Sequence, residues 1–264
     1  MSRQHAALAP LEAFDDEAAA RIETLFTDID DTLSDEGRIT SRAFDAMWRA
    51  HDAGVRVVAV TGRPAGWCDH LARMWPVAAV VGENGALCYA MIDGAIQRLY
   101  AERPADAAER LAAIERDVLA EVRGCKVAAD QPFRLYDLAI DFCEEVPRID
   151  DAGVRRIVEV FERHGATAKV SSIHVNGWFG QFDKLSMCRR AMQELFDVAL
   201  DARCVYIGDS PNDEPMFAAF EHSVGVANVR DLADYFQTLP RYITRGRSGG
   251  GFAELVDHLL SARR

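Results

Sequence analysis

Three aspartates directly follow a short apolar run near the N-terminus, in the stretch "ETLFTDIDDTLSDEG" from Glu23 to Gly37. Asp28, Asp30 and Asp31 carry like charges, which repel one another at this spacing. Two arrangements offset such repulsion: a surface turn in which water solvates each carboxylate, or a bound cation that takes the carboxylates as ligands. This stretch by itself fits both arrangements.

Polar residues also follow the other apolar segments with the composition of buried strands. "VRVVAV" runs into "TGR", "VAAVVG" runs into "GENGA", and "CVYI" runs into "GDSPND". Because the carboxyl ends of parallel strands meet at one edge of a sheet, residues far apart in the chain converge there. The sequence therefore predicts a single pocket shared by four acids, Asp28, Asp30, Asp209 and Asp213. Four carboxylates this close need a cation, and oxygen ligands favour a hard one, Mg²⁺ before zinc or copper.

The elements that would position these residues alternate between strand and helix. "TLFT" and "VRVVAV" flank a helical pattern in "SRAFDAMWRAHDAG", and the same rhythm resumes from "LSMCRRAMQELFDV" to "GGFAELVDHLLSARR". Strands that alternate with helices indicate a parallel sheet covered on both faces. We therefore predict an α/β fold with a Rossmann-like three-layer core.

The middle of the chain, from Leu87 to Phe182, has a different pattern. "LCYAMI" and "AIQRLY" flank Asp93 and Gly94, a strong hairpin signal, and "DLAIDF" and "KVSSIHVN" alternate with period two. Such alternation indicates an α+β module with one sheet face outside its own core. We expect a catalytic core of residues 1–86 and 183–264 and an inserted cap of residues 87–182. Three polar residues share that outer face as specificity candidates or as a solvated surface: Ser172, His174 and Asn176.

Composition restricts the partners of this chain. Its 264 residues carry a formal net charge of −12, which argues against nucleic acid or an anionic membrane surface. No apolar run approaches the roughly 20 residues that span a bilayer, and the N-terminus lacks the pattern of a secretory signal. We expect a cytoplasmic protein with six reduced cysteines and no structural zinc, because the cysteines are spaced singly.

Four short motifs in order, "DIDDT", "VTGR", the "DKL" that contains Lys184, and "GDSPND", resemble the signatures of haloacid dehalogenase-like (HAD) phosphatases. The core resemblance covers about Glu23 to Gly85 and Asp183 to Arg264. The long insert between the second and third motifs is similar to the large cap of the Cof-type and sugar-phosphate phosphatase branch. Within the cap the resemblance is architectural, so it assigns no specificity residue.

The resemblance implies roles for the acids. Asp28 matches the nucleophile that forms an aspartyl-phosphate, and Asp30 matches the general acid and base. Because side chains two residues apart oppose each other along an extended strand, the chain must turn immediately after Asp28. Asp209 would complete a Mg²⁺ shell with Asp28 and the main-chain carbonyl of Asp30. Asp213 would orient Lys184 or a metal-bound water.

The remaining site residues come from the second and third motifs and from "GENGA". The resemblance implies that Thr61 binds a phosphoryl oxygen and that Lys184 neutralises the phosphate and the nucleophile. Gly62 and Arg63 adjoin the phosphate, and Arg63 either grips it bidentately or caps a helix or pairs with an acid. Asn84 is either a substrate-facing amide or a turn residue with a left-handed backbone.

The expected function is Mg²⁺-dependent hydrolysis of a small phosphorylated metabolite, with a sugar phosphate as the expected substrate. Some relatives with similar caps are phosphomutases, and the motifs do not separate the two reactions. A catalytically silent phosphosugar-binding module is the third alternative. A dehalogenase fits less well, because Asp30 supplies an acid that carbon–halogen displacement does not need.

Overall fold

Strands and helices alternate through most of the chain in the computed structural model, which describes residues 8–171 and 173–263. The strands are β1 Ala9–Pro10, β2 Thr24–Thr27, β3 Ser34–Asp35, β4 Arg38–Ile39, β5 Arg56–Val60, β6 Ala79–Gly82, β7 Leu87–Ile92, β8 Ala95–Tyr100, β9 Lys126–Val127, β10 Leu138–Asp141, β11 Thr167–Val170, β12 His174–Trp178, β13 Cys204–Gly208, β14 His222–Gly225 and β15 Tyr242–Ile243. The α-helices are α1 Asp16–Ala20, α2 Ser41–Asp52, α3 Ala65–Met74, α4 Ala107–Glu121, α5 Asp151–Arg163, α6 Lys184–Phe196, α7 Glu214–Ala219 and α8 Ser248–Ser261. Five 3₁₀ segments connect them: Leu11–Ala13, Glu83–Gly85, Gln131–Phe133, Pro211–Asp213 and Ala227–Tyr235.

The chain divides into two units, each with its own contacts. The first unit contains the described residues up to Val60, Trp75–Ala79, and the residues from Met192 onward. The second unit contains Thr61–Met74 and Val80–Ala191. The domain boundaries predicted from the sequence, at residues 86/87 and 182/183, stay a prediction.

The first unit is built on a parallel sheet. Its strands pair in the order β1, β15, β14, β13, β2 and β5, and every neighbouring pair is parallel. Strand β2 lies between β13 and β5, and its four residues are all buried. Strands buried on both faces explain the continuous apolar runs in the sequence. The α/β class predicted from the sequence is confirmed.

Helices α2 and α8 pack against each other in this unit. Helix α2 begins after Thr40, whose Oγ1 accepts a hydrogen bond from the Ala43 N–H at 3.2 Å, the arrangement of an N-cap. The chain leaves the helix through Gly54, whose φ of +78° suits a glycine terminator. Small buried residues on α2, among them Ala43 and Ala46, allow the close approach of the two helices.

The second unit contains the predicted hairpin. Strands β7 and β8 pair antiparallel, with Ile92 opposite Ala95 across a two-residue loop. Asp93 and Gly94 both have positive φ, 51° and 77°, as a type I′ turn requires. The hairpin prediction from "DG" is confirmed.

A separate antiparallel sheet in the second unit has the order β11, β12, β10, β9. Helices α4 and α5 cover its apolar face, where Ile140 and Val175 of the sheet join Ile114 of α4 and Phe161 of α5 in one buried cluster. This cluster is a core of its own within the insert, as expected for an α+β module.

Two expectations for this sheet are corrected. "KVSSIHVN" forms parts of two antiparallel strands, β11 and β12, and not one strand. The two predicted residues on the opposite face, His174 and Asn176, are not solvated, because they are 2% and 4% exposed. They are buried because they have charged partners elsewhere in the insert: Asn176 donates to Asp137, and His174 pairs with Glu144. Ser172 lies outside the described residues.

All six cysteines are free thiols. Within the described ranges, every helix is too short or too polar to cross a bilayer.

Candidate active site

Asp28 and Asp209 come together because their strands are neighbours in the first unit. Strand β2 ends at Thr27, strand β13 ends at Gly208, and Thr27 pairs in parallel register with Ile207. The Asp28 N–H donates to the Ile207 carbonyl at 3.0 Å, so the pairing continues to the first acid. One carboxylate oxygen from each of Asp28, Asp209 and Asp213 lies within 4.8 Å of the others. We call these three residues the acid cluster.

A short 3₁₀ turn after β13 brings Asp213 back toward that strand. The Tyr206 hydroxyl donates to its Oδ1 at 2.6 Å, and the backbone N–H groups of Asp209 and Ser210 donate to its Oδ2 at 3.0 and 3.3 Å. Asp213 is therefore fixed in orientation. Asp209 Oδ1 accepts a hydrogen bond from Thr32 at 3.3 Å.

The chain turns immediately after Asp28, as the two-residue spacing to Asp30 requires. The Ile29 carbonyl accepts hydrogen bonds from the N–H groups of Leu33 and Ser34, both at 2.9 Å. Asp31 has a φ of +58° in this turn, a left-handed conformation that aspartate tolerates better than most residues. The Asp30 side chain is partly exposed and does not belong to the acid cluster.

The acid cluster is chemically suited to a metal ion. Its three members are 6%, 4% and 0% exposed, in the order Asp28, Asp209, Asp213. Buried carboxylates this close repel one another unless a proton or a cation neutralises them, and hard divalent cations prefer such oxygen ligands. The cluster could therefore hold a metal ion.

The other predicted site residues belong to the second unit. Thr61 directly follows β5 in the chain and is fully buried. Its N–H donates to the Val81 carbonyl at 2.8 Å, and its carbonyl accepts from the Asn84 N–H at 3.1 Å. Its Oγ1 accepts from the Arg63 N–H at 2.9 Å, so the threonine side chain also stabilises the turn that follows.

Arg63 is paired with acids, which is one of the two interpretations from the sequence. Its Nη1 lies 3.1 Å from Glu144 Oε1 and 3.7 Å from Asp130 Oδ2. Glu144 Oε2 in turn lies 2.8 Å from His174 Nε2. The close approach of the His174 imidazole, together with the charge of Arg63, lowers the pKa of Glu144 to about 2 despite partial burial.

Asn84 has the left-handed backbone that the second sequence interpretation predicts, with φ +56° and ψ +27°. Its side chain is also engaged: Nδ2 lies 3.5 Å from Asp137 Oδ2. A Cβ placed on Gly62 would lie 3.1 Å from Asn84 Oδ1, so the two residues are in close contact. Asn84 thus lies beside the turn that follows Thr61 and contains Gly62.

Lys184 is the first residue of α6 and is 6% exposed. The segment before it packs closely against Gly85, where a Cβ would lie 2.0 Å from the Asp183 carbonyl oxygen and 2.7 Å from the Lys184 nitrogen. Gly85 also has a φ of +101°. Only glycine fits this position, so the "GENGA" turn fixes the start of α6.

Two buried charged residues near the turn that follows Thr61 were not identified from the sequence. Glu83 is 0% exposed, and Arg134 is 8% exposed. Burial raises the pKa of Glu83 to about 7, and the charge of Asp137 adds to the rise while backbone N–H groups oppose it. Glu83 directly follows the apolar strand β6, which is a signal that could have indicated a buried and paired charge, whereas Arg134 adjoins no strand and carries no such signal.

Comparisons with known proteins place the chain among hydrolases. A sequence model of the family described as haloacid dehalogenase-like hydrolase matches residues 25–115. The phosphoglycolate phosphatase of Pyrobaculum neutrophilum is 30% identical over 244 residues, which cover 90% of this chain and 95% of that protein. A solved structure from Thermoplasma acidophilum superposes with a TM-score of 0.69 at 18% identity, covering 90% of this chain and 98% of that one. A sugar phosphatase of HAD subclass IIB superposes with a TM-score of 0.64 at 16% identity, covering 91% of this chain and 99% of that one.

Proposed function

The chain belongs to the haloacid dehalogenase-like hydrolases, and from this premise we propose that it is a Mg²⁺-dependent phosphatase of small phosphorylated metabolites. The observation that carries the proposal is the acid cluster, three buried carboxylates at the carboxyl ends of two neighbouring parallel strands. Curated relatives that match over most of their length are phosphoglycolate phosphatases, which supports the same activity here.

In this proposal Asp28 and Asp209 would provide side-chain ligands for Mg²⁺, together with the main-chain carbonyl of Asp30. The hydrogen bonds that fix Asp213 support a role in orienting a ligand or a nearby cation, besides its own place in the cluster. Bound Mg²⁺ would offset the negative charge of the phosphoryl oxygens and of the carboxylates.

Asp28 acts as the nucleophile in the first step. A bond forms between its carboxylate oxygen and phosphorus while the bond from phosphorus to the leaving oxygen breaks, and Asp30 donates the proton that the leaving oxygen needs. In the second step Asp30 takes a proton from a water molecule that attacks phosphorus. The bond between phosphorus and the Asp28 oxygen breaks, inorganic phosphate leaves, and the Asp28 carboxylate is restored.

Thr61 and Lys184 bind the phosphoryl group. Thr61 would donate a hydrogen bond to a phosphoryl oxygen, and Lys184 would neutralise the charge of the phosphate and of Asp28. Thr61 follows β5, which pairs with the strand that leads into Asp28, and this connection supports the assignment. Gly62, Arg63 and Asn84 line the same binding site as substrate-binding residues in the proposal.

The substrate is a small phosphate ester. Relatives named phosphoglycolate phosphatase favour a small phosphorylated acid as the substrate. The sugar phosphatase among the structural neighbours supports sugar phosphates as further candidate substrates. The proposed cap of residues 87–182 would cover the substrate and exclude water. The net charge of −12 supports a small-molecule substrate over nucleic acid, and we expect the protein to work in the cytoplasm.

A phosphate-release screen tests the proposal. The panel contains 2-phosphoglycolate, sugar phosphates, nucleotides and cofactor phosphates, each assayed with Mg²⁺ and with chelator. We expect Mg²⁺-dependent release from at least one small ester. An isomeric phosphate without free phosphate would instead identify a phosphomutase, and tight binding without turnover would identify a binding module.

A further inference from the structure

Two buried charges hold the turn that carries Thr61. The Thr61 loop, residues 61–65, connects β5 to the first turn of α3. Glu83 Oε1 accepts a hydrogen bond from the Ala65 N–H at 2.9 Å, at the end of the loop. Arg134 Nη1 donates to the Gly62 carbonyl at 2.9 Å, near its start. The two contacts thus lie on either side of Arg63.

Glu83 joins this loop to the insert. Its Oε1 also accepts from the Leu135 N–H at 2.8 Å, and its Oε2 accepts from the N–H groups of Tyr136 and Asp137 at 2.6 and 3.2 Å. Each carboxylate oxygen therefore accepts two backbone hydrogen bonds. Glu83 also has a φ of +44°, a left-handed conformation that a non-glycine residue adopts only at a cost.

Arg134 is anchored on the insert side by two carboxylates. Its Nε and Nη2 donate to the two oxygens of Asp130, both at 3.0 Å. Its Nη1 donates to Asp137 Oδ1 and Oδ2 at 3.0 and 3.2 Å, in addition to the Gly62 carbonyl. The rigid planar guanidinium makes all of these contacts at once, which a lysine ammonium in the same place would not do.

The insert side of these contacts is itself rigid. Asp137 directly precedes β10, which pairs with β12 and β9 and contributes Ile140 to the buried core of the insert. A charged side chain is buried only when its hydrogen bonds are satisfied, so Glu83 and Arg134 are costly residues for a connection that an apolar contact could make. The free-energy cost of burying these two charges is explained if the exact position of the Thr61 loop matters for function.

We propose that Glu83 and Arg134 are positioning residues, which set the Thr61 loop at the place where it binds the phosphoryl group by attaching it to β10 of the insert. This inference rests on the proposed function for its kinetic part, because that part requires Thr61 to contact phosphate. The attachment itself does not depend on the reaction.

The test compares Glu83→Gln and Arg134→Lys with wild type and with Asp150→Ala. The first variant keeps the size of the side chain but turns an amide N–H₂ toward backbone donors, and the second keeps the charge but loses the planar fork. Asp150→Ala is the control, because it removes the N-cap of α5, whose Oδ1 accepts from Gly153 at 2.8 Å, and so destabilises the same unit elsewhere.

Four quantities are measured at a pH at which Glu83 is ionised: amide hydrogen exchange, kcat/KM, inhibition by inorganic phosphate and Mg²⁺ affinity. Amide hydrogen exchange at Gly62 and Arg63 should become faster in Glu83→Gln and Arg134→Lys and stay at the wild-type rate in Asp150→Ala. The kcat/KM for the best substrate of the screen should fall by about 10- to 100-fold in both, the usual effect of an ångström-scale displacement. Inhibition by inorganic phosphate should weaken in parallel, while the Mg²⁺ affinity stays unchanged.

Several results would overturn the inference. Unchanged exchange in both variants would show that the loop is held without Glu83 and Arg134. Faster exchange with wild-type kcat/KM would show that the contacts are merely structural, as would equal kinetic losses in Asp150→Ala. If wild type hydrolyses no ester, the proposed function fails by itself. The exchange rates, with the affinity for inorganic phosphate, then decide the inference: faster exchange with weaker phosphate binding supports it, and unchanged values overturn it.

Discussion

Replacing Asp209 by asparagine should stabilise the metal-free protein, although Asp209 is buried and is a candidate metal ligand. The substitution removes a negative charge from the acid cluster and keeps an oxygen that can accept the hydrogen bond from Thr32. Most substitutions of buried polar residues destabilise a protein, so a stabilising effect of Asp209→Asn would point specifically to repulsion within the cluster.

The size of the effect follows from the separation of the acids. Two full charges 4.8 Å apart repel by about 3 kcal/mol at an effective dielectric constant of about 20. Asp209 faces two neighbours at this separation or closer, so the unrelieved repulsion that it contributes is at least about twice that value. Protonation and solvent relieve most of it, and we expect a net gain of about 2 kcal/mol in the free energy of unfolding in chelator.

Excess Mg²⁺ should make wild type more stable than Asp209→Asn, the reverse of the order expected in chelator. A ligand at a hundred times its Kd stabilises the native state by about 2.7 kcal/mol, and Asp209→Asn should lose most of this gain. Urea unfolding of both proteins in chelator and in Mg²⁺ measures the four free energies. Asp137→Asn is the control: Asp137 is also buried but is paired with Arg134, so its neutralisation should cost about 3–5 kcal/mol in both buffers.

The reasoning would be refuted if Asp209→Asn were less stable than wild type in chelator and gained as much as wild type from Mg²⁺. That result would mean that the acids neither repel one another appreciably nor share a cation.

Three further predictions concern other parts of the proposed site. Asp30→Asn should lower kcat by about 10²–10⁴-fold, the usual contribution of general acid–base catalysis, while Mg²⁺ binding persists; stopped-flow and steady-state kinetics measure the loss, and a mild loss would remove Asp30 from this role. Glu83 has a pKa of about 7 in the folded protein against an ordinary value of 4.5, so the folded state retains the proton longer and the free energy of unfolding should fall as pH rises from about 4.5 to about 7. The fall should total about 3 kcal/mol in wild type and be missing in Glu83→Gln, and parallel pH curves for the two proteins would contradict it. Gly85→Ala should lower both stability and turnover, because its Cβ would lie 2.0 Å from the Asp183 carbonyl oxygen in front of Lys184; thermal unfolding and kcat that match wild type would show that this approach is not needed.

Much of the fold follows from local sequence patterns. Buried strands followed by aspartate predicted that Asp28, Asp30, Asp209 and Asp213 meet, and three of these carboxylates do, because parallel pairing in register aligns the ends of β2 and β13. The Asp30 side chain lies outside the acid cluster, because the chain turns directly after Asp28. The "DG" hairpin was equally predictable, since two consecutive positive φ angles strongly favour that dipeptide.

The insert was harder to predict from the sequence. Alternation correctly placed His174 and Asn176 on one face but gave no sign that their side chains are buried, because their partners Glu144 and Asp137 are 30 and 39 residues away. The interpretation of "KVSSIHVN" as one strand depended on the alternation of Ile173 and Val175, which lie near one end, so it did not reveal the break between β11 and β12. Glu83 was missed for the same reason: three of the four backbone donors that justify its burial lie more than 50 residues away.

The most direct measurement of the central claim is a search for a phosphorylated Asp28 during turnover. Wild type is mixed with its best substrate and Mg²⁺, quenched in acid, digested and analysed by mass spectrometry. We predict one added phosphoryl group on the peptide that contains Asp28, and its loss, together with loss of phosphate release, in chelator and in Asp28→Asn. Full phosphate release by Asp28→Asn, or by wild type in chelator, would contradict a metal-dependent reaction through Asp28.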